Sequence, residues 1–157
     1  MQQVFFQLQY KGYWNSGSDK KALEMFGMFG LWHTRDYIKQ VGQIDFFEID
    51  EKIIHYAKKA LKEKVNFYCA DSIKYIGETK KKYDLVVADT PYCFTDGFDP
   101  NTGIPPFMKD MLCTMSSGGG IIMNLHTEYL HMHHDIYSQI KNMTEREIKD
   151  LFYVIRN

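Results

Sequence analysis

Four short segments carry residue types that can do chemistry: LEMFGMFG at residues 23–30, FFEID at 46–50, CADS at 69–72 and DTPY at 89–92. In the first, Gly27 and Gly30 let the backbone approach a ligand closely and take up positive φ, and a helix starting behind them offers free N–H groups. Glu48 lies 21 residues past Gly27. A carboxylate about 20 residues beyond a glycine turn suits a ribose diol, because its two oxygens accept from both hydroxyls. Asp50 stands where the cap of the next helix is needed, so Glu48 is read as the ligand-binding residue and Asp50 as the cap. Asp71 has two readings: an acceptor for the exocyclic amine of an adenine, or a cap for the helix that starts at Ser72. In DTPY, Asp89 is followed by a rigid Pro91 and an aromatic Tyr92, an acid beside a stacking surface. A plain turn would also use Asp and Pro. It would not account for the motif falling at a strand end beside the other three.

These segments need a frame that brings them to one edge. Hydrophobic periodicity supplies it. Strands are expected at residues 4–10, 22–26, 43–49, 65–69, 84–88, 121–125 and 151–155, and helices at 31–41, 51–61, 72–76, 107–115 and 129–141. The 51–61 segment sets Ile53, Ile54, Ala57 and Leu61 on one face and lysines on the other. The 84–88 run is apolar without alternation, as in a parallel strand covered on both faces. Residues 90–106 read as an irregular stretch rich in Gly, Pro, Asp and aromatics. Strands alternating with helices predict an α/β fold with a mostly parallel sheet, whose ligands sit at the carboxyl ends of the strands.

Composition narrows the function classes. The chain has 157 residues, one domain's worth, with 45% hydrophobic and 25% charged residues. Disorder and fibrous repeats are excluded. Lys plus Arg is 19 and Asp plus Glu is 20, a net charge of −1, so no overall basic excess favours nucleic acid. No apolar run approaches a membrane span. The N-terminus reads as a poor signal peptide. Cys69, Cys93 and Cys113 lack CxxC spacing and read as reduced thiols of a cytoplasmic protein. The histidines at 126, 131, 133 and 134 lack the spacing of a zinc site, so no metal is expected. Lys80–Lys82 reads as a solvated turn, and Tyr10, Tyr13 and Trp14 as aromatics packing on the sheet.

Taken together, LEMFGMFG, FFEID, CADS, DTPY and GGGIIMN resemble the motifs of the class I S-adenosylmethionine-dependent methyltransferases, across about residues 22–125. The resemblance implies a single Rossmann-like three-layer domain over residues 1–157, with S-adenosyl-L-methionine as cofactor. It implies cofactor contacts from Glu24, Gly27, Gly30, Glu48, Ile49, Asp71, Ser72 and Asp89. DTPY is similar to the Asp/Asn-Pro-Pro-Tyr/Phe motif of members that methylate amino groups, which implies that Asp89 orients the acceptor and Tyr92 stacks on it. The acceptor is then a small molecule or a nucleobase.

The chain departs from that family in three places. Phe26, Met28 and Phe29 stand among positions the family fills with small residues, and Thr90 replaces the first Pro of its amino-group motif. The usual seventh, antiparallel strand is not evident: the fold is trimmed, or residues 4–10 fill the edge, or the chain is a fragment. Two other readings stay open. One is a relative of the aminopropyltransferases, whose fold and nucleoside site are similar and whose acidic strand-four end handles an amine. The other is a scaffold that keeps the fold without turnover. A nicotinamide dehydrogenase fits worst, because G-x-G is missing.

Overall fold

In a computed structural model of the protein, residues 9–10, 14–31, 34–61, 63–89 and 107–124 are described. Their elements alternate from the first strand onward: β1 (Lys21–Met25), α1 (Thr34–Tyr37) running into a 3₁₀ turn (Ile38–Gln40), β2 (Gln43–Glu48), α2 (Glu51–Ala60), β3 (Val65–Cys69), α3 (Ser72–Glu78), β4 (Tyr83–Asp89), α4 (Met108–Thr114) and β5 (Met115–Asn124). The five strands form one sheet in the order β3-β2-β1-β4-β5. Every neighbouring pair is parallel. The chain steps outward from β1 in one direction and then from β4 in the other, so the β1–β4 crevice is the topological switch point where such sheets take ligands.

Both faces of the sheet are buried, which is why β1 and β4 read as apolar runs. On one face Ala22, Ile44, Phe46, Leu85 and Val87 pack with Tyr37, Ile54, Ala57 and Leu61. On the other, Leu23, Met25, Phe47, Val86 and Ala88 pack with Ile76, Phe107 and Met111. Helices thus cover both sides, giving the three layers expected.

One polar network interrupts the second face. The buried Asp45 carboxylate accepts from Asn66 Nδ2 at 2.8 Å, from Tyr83 Oη at 2.6 Å and from Lys81 Nζ. Tyr83 and Tyr75 share a hydroxyl–hydroxyl hydrogen bond of 2.7 Å. Burial pushes the Asp45 carboxyl up, but hydrogen bonds from Lys81, Tyr83 and Asn66 outweigh it and hold the group below the usual carboxylate range. Burial and the Asp45 carboxylate together push the Tyr83 hydroxyl far up.

The structure corrects several expectations. Gln9 and Tyr10 are helical rather than the end of a strand. The helix expected over 31–41 shrinks to one α-turn and a 3₁₀ turn. The fifth strand starts at Met115 rather than at residue 121, so Gly118–Gly120 lie inside it. The ladder jumps from Tyr83↔Met115 to Leu85↔Gly120, so two steps along β4 match five along β5. Glycine fits that irregularity because a Cβ at Gly119 would stand 3.0 Å from the Asp84 carbonyl oxygen. The expected elements at 129–141 and 151–155, and the histidine group, fall outside the described residues. Among the described residues, no helix is long and apolar enough to cross a membrane.

Candidate active site

The turn after β1 is where sequence and geometry differ most. Three of its residues have left-handed backbone: Phe26 (φ 57), Met28 (φ 49) and Gly30 (φ 70). They alternate, and Gly27 is not among them. The conformational freedom assigned to Gly27 from sequence is therefore required at Phe26 and Met28, where L side chains are strained. Gly27 has a different reason to be small: a Cβ there would stand 2.2 Å from Cζ of the Phe46 ring. At Gly30 both reasons apply, because a Cβ would also meet Leu61 Cδ1 at 2.4 Å.

The turn is laced to the end of β2. Gly27 N–H donates to the Phe47 carbonyl at 2.8 Å. Met28 N–H donates to Glu48 Oε2 at 2.9 Å. The other carboxylate oxygen, Oε1, accepts from the N–H groups of Ile49 at 2.8 Å and Asp50 at 3.1 Å. Glu48 is 8% exposed, so a buried carboxylate is fixed at the edge by three backbone donors. A carboxylate has about four acceptor positions, which leaves Oε2 room for a further donor among the described residues. Beside it Ile49 is 72% exposed, an apolar surface at a strand end on which a flat base can lie. Glu48 and Ile49 therefore fit the ribose and the base of a nucleoside.

The remaining predicted residues separate. Asp50 caps α2 by accepting from Lys52 and Ile53 N–H at 2.7 and 3.3 Å. Asp71 caps α3 in the same way, with its Oδ1 taking Ile73 N–H at 2.9 Å and Lys74 N–H at 3.4 Å. Both lie at the carboxyl edge, after β2 and β3. Ser72 is the buried first residue of α3. Glu24 is 1% exposed, next to last in β1, and its carboxylate accepts the Tyr37 hydroxyl. Burial first, and then the neighbouring Glu24, push the Tyr37 hydroxyl well above its ordinary pKa. Tyr37 thus ties α1 to the strand that carries the glycine turn.

Asp89 is the last residue of β4, paired with Asn124 of β5. Met25 pairs with Ala88, so the backbone of Asp89 stands level with the start of the β1 turn, at the switch point. Tyr92 and the rest of DTPY lie outside the described residues. Two aromatics not assigned from sequence also meet here. Phe26 packs against the cluster under α4, with its ring centroid 6.1 Å from that of Phe107 in an edge-on arrangement. The bulk of Phe26 inside a glycine turn is the signal in the sequence that marks it.

Comparison with known proteins bears on which chemistry this edge serves. The family model described as spermine/spermidine synthase domain matches residues 34–155. A polyamine aminopropyltransferase of Methanocaldococcus jannaschii is 44% identical over 91 residues, covering 52% of this chain and 30% of that protein. One from Clostridium botulinum is 28% identical over 127 residues, covering 74% of this chain and 42% of that protein. The chain thus spans less than half the length of these curated relatives. Among solved structures, a SAM-dependent methyltransferase from Agrobacterium tumefaciens superposes with a TM-score of 0.59 at 17% identity, covering 88% of this chain and 50% of that one. That likeness establishes the Rossmann-like fold. The family match overturns the expectation of a methyltransferase. The error has a physical source. The readings of the glycine turn, Glu48 and Asp71 as nucleoside-binding do not separate the two families, and DTPY alone favoured methyl transfer.

Proposed function

Because the chain belongs to the spermine/spermidine synthase domain family, we propose that it carries the nucleoside-binding and transfer site of an aminopropyltransferase. Its relatives of that name use decarboxylated S-adenosylmethionine, and that is the cosubstrate proposed here. The observation that carries the reading is the buried Glu48 carboxylate, pinned by the Met28, Ile49 and Asp50 N–H groups at the ligand edge of the sheet.

When bound, the sulfonium supplies an activated propyl carbon: an amine's lone pair forms the C–N bond, the C–S electron pair returns to sulfur, and the amine's proton leaves to a base. The chain's own residues have to hold the partners and exclude water. Glu48 accepts from a ribose hydroxyl at Oε2, Ile49 covers one face of the base, and Asp71 with the backbone at Ser72 addresses the base edge while capping α3. Gly27 and Gly30 allow close approach of the turn. Glu24, through Tyr37, supports that turn from within the sheet. Asp89, at the end of β4, holds the incoming amine or takes its proton.

The test is to incubate the full chain with decarboxylated S-adenosylmethionine and a diamine and to follow both products by mass spectrometry. Methylthioadenosine together with an amine heavier by one aminopropyl group is the expected result. Methylated amine from S-adenosylmethionine, with no aminopropyl product, would reject the reading.

A further inference from the structure

The β1 turn holds phenylalanine at a left-handed position that glycine would occupy without strain, at the switch point of the sheet. A non-glycine residue at positive φ is disfavoured, and such strain persists where the surroundings over-determine it. Here the Phe26 ring is half-buried against the second core cluster and edge-on to Phe107. Phe107 is the residue that leads into α4, and Phe26 leads out of β1. The two rings therefore form an apolar wall between the β1 turn and the head of α4. The side chains proposed for the nucleoside, Glu48, Ile49 and Asp71, follow β2 and β3, on the far side of β1 from β4. A substituent on the 5′ sulfur of a nucleoside held by Glu48 would extend from β2 across β1 towards β4, and so along this wall.

We propose that Phe26, backed by Phe107, is a specificity-determining residue that selects the charge type of that substituent, an inference that rests on the aminopropyltransferase reading. An aromatic face carries negative potential and attracts sulfonium or ammonium groups. It offers nothing to a carboxylate, which loses water there without gaining a hydrogen-bond donor. The wall thus favours a tail ending in an ammonium alone and disfavours the same tail bearing a carboxylate. Decarboxylated S-adenosylmethionine and S-adenosylmethionine differ by that one group.

The experiment is calorimetric titration of the full chain with three ligands: decarboxylated S-adenosylmethionine, S-adenosylmethionine, and methylthioadenosine, which has no charged tail. The parent should prefer the decarboxylated sulfonium to the carboxylated one by about tenfold or more, the scale of a carboxylate partly desolvated without a hydrogen-bond donor. Phe26→Gly should remove most of that preference while changing methylthioadenosine affinity by less than about twofold, because glycine accepts the turn's φ and so leaves the turn backbone, Glu48, Ile49 and Asp71 in place. Phe26→Leu keeps apolar bulk without the aromatic face and should give an intermediate preference, and it decides the matter if the glycine variant does not fold. A parent preference that survives in whichever variant folds overturns the inference and leaves the proposed function standing. A parent that binds none of the three ligands removes both.

Discussion

Glu48 has two tasks: it tethers the β1 turn through Met28 N–H and presents a carboxylate to the ligand edge. Glu48→Ala should therefore weaken nucleoside binding by about 2–3 kcal/mol, the scale of charge-assisted hydrogen bonds, and should also lower the melting temperature. Titration with methylthioadenosine and a thermal melt check the two effects, and unchanged affinity would remove Glu48 from the site. Asp71 needs a variant that separates its roles. Serine caps helices as well as aspartate does, so Asp71→Ser should keep stability while weakening adenosine binding. If binding is also kept, Asp71 is a cap alone. Asp45 lies away from this chemistry and governs acid stability. Its folded pKa is held below the ordinary 3.8 by Lys81, Tyr83 and Asn66 acting against burial. A carboxyl depressed on folding stabilises the protein above its unfolded pKa, and that contribution is lost as pH falls through the folded value. Urea denaturation should show parent stability falling as pH drops below about 4, while Asp45→Ala is destabilised by roughly 2–3 kcal/mol at pH 7 and is flatter in that acid range.

At the scale of elements, the β1 turn is the part most easily broken. Gly27 packs its bare Cα against the Phe46 ring in the core, and its N–H is bonded to the Phe47 carbonyl. Gly27→Val would drive side-chain atoms into that ring, an overpacking of about 1–3 kcal/mol, and would push the turn outward from β2. Stability and nucleoside affinity should fall together, as a denaturant melt and calorimetry would register. A variant that melts like the parent would show that Phe46 yields freely. The caps tell the complementary story. Asp50 and Asp71 both follow a strand and open a helix, and both were readable as caps because an acid at that point satisfies N–H groups that have no intrahelical partner. The turn itself is less legible, because glycine in a sequence signals either a positive φ or a lack of space, and only the tertiary fold separates the two.

For the molecule as a whole, parallel order places Glu48, Asp71 and Asp89 at the ends of β2, β3 and β4 along one edge, with Asp89 at the switch point. The residues proposed for the nucleoside belong to β1–β3, so a group at the end of β4 is expected to serve transfer rather than grip. Asp89→Ala should bind methylthioadenosine nearly as well as the parent and lose aminopropyl transfer by about 10²-fold or more, the scale of a general base or positioning group. Parent-like turnover on a verified amine would remove Asp89 from the reaction. The alternation of β1 to β5 with helices, the parallel sheet, the Asp50 cap and the carboxyl edge were determined by the sequence itself, because they follow from local periodicity and from hydrogen-bonding needs within a few residues. The class of transferred group was not, since the motifs describe the nucleoside that two families share. Tertiary structure alone decided that Phe26 and Met28 take left-handed backbone, that Tyr37 meets Glu24, that Asp45 gathers Lys81, Tyr83 and Asn66, and that Phe26 faces Phe107. Each of these depends on chain segments far apart in sequence meeting across a strand or a layer, and no local pattern encodes that distance.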